Sequence, residues 1–228
     1  MSKNPSWQGG GGSNNHPLRG GKLSVLEGGM RVVSFAAGGL LPAAARGAKI
    51  TALTAIADIH TTLALLGGAK ADDPRAAAAG LPPVDGLDLM PLLSGKVPRV
   101  RTGMPLALNV SQVANQTSAL IEGDLKLIVG AAPFYLQTPA IWPTADYAYV
   151  WDKSNFLQCP RGCLFNITAD PNEGTDLASS HPAELARMLQ LLGAELGKKY
   201  EAPPGKPEML AFIAALRKPP HVIGPFAE

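Results

Sequence analysis

Cysteine is scarce. Cys159 and Cys163 are the only two, too few for a disulfide scaffold or a four-cysteine zinc site. Aromatic residues make up 6% of the chain, which leaves few stacking platforms for single-stranded nucleic acid. Charged residues are 17%, below the roughly 25% of an average domain. The formal net charge of +2 provides no strong basic footprint for nucleic acid. No run is long and apolar enough to span a membrane. The most apolar stretch, residues 50–68, is interrupted by Asp58, His60, Thr51, Thr54, Thr61 and Thr62. The opening MSKNPSWQGGGGSNN lacks an apolar core, so it does not read as a signal peptide.

Glycine and proline are abundant. The 25 glycines and 21 prolines are about a fifth of the chain, against an average near 12%. They predict many turns and long connections. A length of 228 residues fits one large domain or two small ones. Three N-x-[ST] sequons, at Asn109, Asn115 and Asn166, are candidate glycosylation sites. They point to a secretory route, against the missing leader.

Hydrophobic periodicity organises the rest. The first thirty residues read as a Gly- and Asn-rich loop region. Residues 30–37 (MRVVSFAA) suit a buried strand. Leu53, Ile56, Ile59, Leu63 and Leu66 recur every three to four positions, one face of a helix over 50–66 that Gly67-Gly68 ends. Residues 69–83 read as a surface loop, and 85–94 as a turn and a short helix. Strands are expected at 106–110, 118–121, 125–129 and 163–167. Glu122-Gly123-Asp124 makes a hairpin between the second and third. Leu185, Met188, Leu189, Leu192 and Leu196 mark an amphipathic helix with Pro182 in its first turn, Ser180 or His181 as cap and Glu184 at its positive end. A last short helix is expected over 207–216. A meander of strands followed by a helix is an α+β pattern. One strand and one helix in the first hundred residues cannot close a core, so that part is expected to pack on something else.

Isolated polar residues have plain readings. Asp58 and His60, spaced i, i+2, point to different helix faces and make a poor metal pair. Asp170 and Glu173 read as turn and cap chemistry. Lys126 alternates with Leu125, Leu127 and Val129 and is expected to face solvent. Cys159 and Cys163 are either bridged across a tight Pro-Arg-Gly loop or two free thiols, since spacing alone does not decide geometry.

Three passages together resemble a known family. They are NNHPLRGGKLSVLEGGMRV at residues 14–32, IADIHTTLALLG at 56–67 with VDGLDLMPLL at 84–93, and GDLKLIVG at 123–130 with CLFNITADPNE at 163–173 and DLA at 176–178. In order and spacing they resemble type I sulfatases, the arylsulfatase B-like group in particular, over roughly residues 13–196. The resemblance implies an alkaline-phosphatase-like α/β fold, α+β within this stretch. Residues 1–100 would be the end of the large sheet domain, and 101–228 a C-terminal antiparallel sheet packed by a helix.

The resemblance also implies sulfate-ester hydrolysis on an aryl sulfate or a sulfated glycan. The family uses a formylglycine made within a C/S-x-P-x-R motif and a bound Ca²⁺, in secretory, lysosomal or extracellular settings. A hydrated aldehyde supplies the nucleophile, the cation polarises the sulfate, and basic side chains hold its oxygens. The nucleophile motif is absent from this sequence, because Arg161 follows Pro160 directly after Cys159. The family's Asp-Asn metal pair falls on Lys3-Asn4. Asn4 fits in type, but an ammonium cannot ligate a cation. Lys22 matches the lysine beside the sulfate, though without the resemblance it is a solvated loop lysine. Arg19 would brace the same loop, though an arginine in a Gly-rich loop is more often simply exposed. Glu27-Gly28-Gly29 reads as the turn into the strand over 30–37 rather than as chemistry, and His16 stands where the family often has Trp. The expectation is the C-terminal portion of a sulfatase, inactive alone. The alternative is a non-catalytic binding or scaffold module derived from one, perceptible as a glycan-binding basic face.

Overall fold

The computed structural model describes residues 15–21, 24–112, 115–133 and 156–199. Asn4, Lys22, the Asn115 side chain and the helix expected over 207–216 lie outside them. The chain divides into two compact units, Met1–Gly197 and Lys198–Glu228, and the elements below belong to the first.

The architecture is α+β. Four strands, β1 (Gly103–Gln112), β2 (Asn115–Glu122), β3 (Leu125–Pro133) and β4 (Phe156–Asn166), form one sheet in the order β1-β2-β3-β4. Each neighbouring pair is antiparallel. Glu122 pairs with Leu125 across the turn, so apolar runs on both sides of a short polar turn fold back as a hairpin. All four strands expected beyond residue 100 are present, each longer than its apolar run.

Alternation sends side chains to two faces, and both are covered. On one face Leu120, Leu127 and Leu164 pack with Met188 and Leu192 of α5 (Pro182–Gly197). On the other, Ala119, Ile121, Ile128 and Phe165 pack with Val25 and Leu26 from the N-terminal loop. The sheet is therefore the middle layer, and residues 24–27 belong to its core. Met188 is fully buried on the α5 side. Met188→Ala is expected to cost about 2–5 kcal/mol in urea unfolding. A loss under about 1 kcal/mol would show that α5 is not docked there.

The helix after Ile50 is shorter than its periodicity suggests. It runs as α2 (Ile56–Leu66). Its start is set by Asp58, whose carboxylate reaches back to accept from the Ala55 N–H at 2.7 Å, so Ala55 is the entry point. It ends as expected. Gly68 adopts φ +79°, and the Ala69 N–H donates back to the Ala64 carbonyl at 2.9 Å, a glycine-terminated turn. The buried face is not the apolar one. Asp58, Thr61 and Thr62 are buried, whereas Ile56 is 87% and Leu63 63% exposed. The reason is the neighbour: Leu87 N–H donates to Asp58 Oδ1 (2.9 Å) and Leu89 N–H to Thr62 Oγ1 (2.8 Å). Periodicity says which residues share a face, not which face is covered.

Two further expectations are corrected. Residues 30–37 are not a buried strand. Glu27–Met30 forms a single helical turn, α1, and beyond it Val32, Val33 and Phe35 are exposed and, among the described residues, paired with no strand. An extended segment without a ladder partner has no sheet to join. Residues 69–83 are not wholly loop, because α3 (Pro74–Ala78) forms there. Asp73 caps it, accepting from the Arg75 and Ala76 N–H groups at 2.9 and 3.1 Å. The short helix expected near 90 is α4 (Met90–Leu93).

Candidate functional site

Residues 15–21 and 24–31 fold tightly upon one another. Gly28 N–H donates to the Arg19 carbonyl at 2.7 Å and Ser24 N–H to the Gly21 carbonyl at 3.0 Å. A Cβ at Gly28 would run into the Arg19 and Gly20 carbonyl oxygens, and one at Gly29 into those of Gly21 and Ser24. Glycine is needed here because backbone meets backbone. The glycines thus form a tight turn, but it does not lead into the strand expected over 30–37.

Glu27 itself does more. Its side chain is buried and meets Lys126 Nζ at 2.9 Å through Oε1. Its Oε2 accepts from Arg31 Nε at 2.8 Å. Lys126 also meets Glu173 Oε1 at 2.9 Å, and Glu173 Oε2 accepts from the Glu27 N–H at 2.7 Å. Arg19 Nη1 donates to the Glu173 carbonyl oxygen. Lys126 and Glu173 are 0% exposed and Glu27 is 3% exposed. One ammonium thus serves two carboxylates away from water, and the cluster joins the N-terminal loop, β3 and the turn after β4.

This overturns two sequence readings. Lys126 does not face solvent: alternation puts it on the face that residues 24–27 cover. Glu173 is not a turn or cap residue alone. Burial pushes its carboxyl above the usual carboxylate range. The charge and hydrogen bond of Lys126 and the Glu27 N–H pull it back only in part, and the Glu27 charge adds to the rise. Glu173 also holds φ +54°, a left-handed conformation uncommon for a glutamate.

A second polar centre ties α2 to the 85–89 segment and to Arg101, just ahead of β1. Asp58, fully buried, accepts from Arg101 Nε at 3.0 Å, with Arg101 Nη2 on its other oxygen. Burial raises its carboxyl. The Arg101 hydrogen bond, the Ala55 and Leu87 N–H groups and the Arg101 charge together outweigh that, so it sits below its ordinary value. Asp58 is an anchor between α2, the 85–89 segment and Arg101.

The residues singled out in the sequence are scattered. His16 lies exposed in a turn and Arg19 is half-buried beside the cluster. Cys159 and Cys163 are joined by a disulfide with Cα atoms 5.2 Å apart, the bridged alternative of the two. Asn109 is exposed at a bulge of β1 with φ +51°. Asn166 Oδ1 accepts from the Thr168 and Ala169 N–H groups. Ser180 directs its hydroxyl to the Leu177 carbonyl and the His181 ring.

The described acidic side chains do not fit a calcium site. Glu27 and Glu173 face an ammonium, Asp58 faces a guanidinium, and no group of three or more His, Cys, Asp or Glu among the described residues could hold a metal ion. What sequence reasoning missed was the cluster of Glu27, Lys126 and Glu173 and the Asp58–Arg101 pair. The one available sign was a single lysine inside an apolar strand, which alternation alone cannot assign to water or to a buried partner.

No protein-family model matches the chain. Among solved structures it is similar to one from work on the metabolism of multiple glycosaminoglycans by Bacteroides thetaiotaomicron, labelled BT33336S-sulf. The identity is 21% and the TM-score 0.39, over 61% of this chain and 24% of that one. The chain therefore spans about a quarter of that structure's length.

Proposed function

We propose that the chain is the C-terminal portion of a type I sulfatase of the arylsulfatase B-like group. The parent reaction is hydrolysis of a sulfate ester, on an aryl sulfate or a sulfated glycan, to an alcohol or phenol and sulfate. Residues 1–100 would come from the large catalytic domain and 101–228 from the C-terminal subdomain. The observation that carries the reading is the convergence of its motif residues. Glu27 of the EGG passage, Lys126 of GDLKLI and Glu173 of DPNE are far apart in sequence and meet in one buried cluster. Asp58 and the DGLDL passage are likewise tied to each other. The pattern thus coincides with the residues that hold this architecture together. The exposed Val32, Val33, Phe35 and apolar face of α2 fit a part that packs on a larger whole. The disulfide and the sequons fit a secretory route.

Within that reading Lys22 contacts the sulfate, Arg19 braces its loop and His16 lines the approach. The chain has no nucleophile of its own. Cys159 has the wrong spacing for the C-x-P-x-R motif, and its sulfur is bonded to Cys163. No step through formylglycine or Ca²⁺ is assigned to these residues. The purified 228-residue chain is expected to release no fluorophore from 4-methylumbelliferyl sulfate above the blank. The native transcript, read upstream in frame, is expected to encode C/S-x-P-x-R. Turnover by the chain alone would overturn its assigned inactivity. A native transcript that opens at Met1 would overturn the fragment reading and leave the non-catalytic module.

A further inference from the structure

We propose that Glu27, Lys126 and Glu173 form a proton-linked clasp, which holds residues 19–21 and 24–31 on the sheet and closes more firmly as the pH falls from neutral. This does not depend on the sulfatase reading. The geometry sets up the linkage. Two buried carboxylates lie 2.9 Å from one ammonium. Glu27 has a second cation, Arg31, on Oε2. Glu173 Oε2 has a neutral donor, the Glu27 N–H, so Glu173 is the carboxylate that takes the proton.

The surrounding elements leave that count unchanged. Lys126 pairs with Ile121 on β2 and Phe165 on β4, both apolar. In the turn after β4, Asp170 Oδ2 accepts from Thr175 N–H and Asp176 Oδ1 from Leu164 and Ala178 N–H. Arg19 addresses the Glu173 carbonyl oxygen. With Glu173 neutral, Lys126 faces one charged carboxylate, Glu27, instead of two, and the buried negative charge falls by one.

The sign follows from burial. The docked Glu173 carboxyl lies above its ordinary value of 4.5, and the undocked one returns to it. Docking therefore takes up a proton as pH falls through the raised value. The gain is complete below the ordinary value, where both states are protonated, and is lost as pH rises through the raised one. Glu173 is also held in the left-handed region by bonds to both its carbonyl and its carboxylate, so release of the clasp frees a constrained turn.

The test is backbone hydrogen exchange in the full chain from about pH 8 to about pH 5, corrected for intrinsic rates. It is read at the Glu27 N–H and across 24–31. Protection is expected to rise on acidification, by up to about tenfold per pH unit for one linked proton. Glu173→Gln should hold the acid level of protection at every pH. Glu27→Gln should leave a pH dependence in place. A flat wild-type profile, or the same rise in Glu173→Gln, would overturn the proposal. Should that variant not fold, the Glu173 side-chain carboxyl of the wild type is titrated by NMR. A midpoint above 4.5 is expected, and one at or below it overturns the clasp.

Discussion

Lys126→Met is expected to destabilise the protein by about 3–5 kcal/mol. Methionine keeps much of the lysine stem's volume, so the loss is electrostatic rather than a cavity. It leaves Glu27 and Glu173 buried within reach of each other without the ammonium both face. Glu173, left without a cation, and Glu27, left with the half-exposed Arg31 alone, must take up protons or expel the loop that carries Glu27. The penalty is therefore largest at neutral pH and above, and shrinks in acid. Urea unfolding at about pH 8 and about pH 5 checks this. The triple variant Lys126→Met, Glu27→Gln, Glu173→Gln should recover part of the loss, because it removes buried charges together rather than one partner. A loss within about 0.5 kcal/mol for the single variant would place Lys126 at an ordinary surface site.

Asp58→Ala is expected to cost a similar amount, about 3–5 kcal/mol. Asp58 is fully buried and receives four donors: Arg101 through two nitrogens, the Ala55 N–H and the Leu87 N–H. Its removal leaves a guanidinium whose side chain is 12% exposed without its carboxylate, and two N–H groups without their acceptor. The start of α2 and the 85–89 segment loosen together. Its carboxyl sits below the ordinary 3.8, so its contribution is present above that value and lost as pH falls through the lowered one. Asp58 and Glu173 therefore act on opposite sides of mild acidity. A double-mutant cycle with Arg101→Met is expected to show a coupling of about 0.5–3 kcal/mol. Additivity would mean that the pair is not joined in solution.

Local readings succeeded where one strand or helix decides its own conformation. The runs around Leu108, Leu120, Leu127 and Leu164 became strands, and Met188 and Leu192 became the buried stripe of α5. They failed where a distant neighbour decides. Val32 and Val33 have strand-like side chains but, among the described residues, no strand pairs with them. Ile56 and Leu63 share a helix face that nothing described covers, while Asp58 and Thr62 are buried because residues 87 and 89 offer them N–H donors. Of the candidate site, the glycines of the 19–29 loop were legible as turn formers. That Glu27 is an ion-pair residue was not.

The sequence by itself determined the α+β class, the four strands of the sheet, α5 and the glycine end of α2, because each depends on spacings of a few residues. It also determined that no C-x-P-x-R motif lies in this chain. Tertiary structure alone decided that the sheet is covered on both faces. That coverage turns Lys126 from a solvent-facing lysine into the centre of a buried cluster. The physical reason is that alternation assigns a side chain to a face, while burial depends on what lies against it. Here that is a loop from 99 residues earlier and a turn held in place by its own carboxylate.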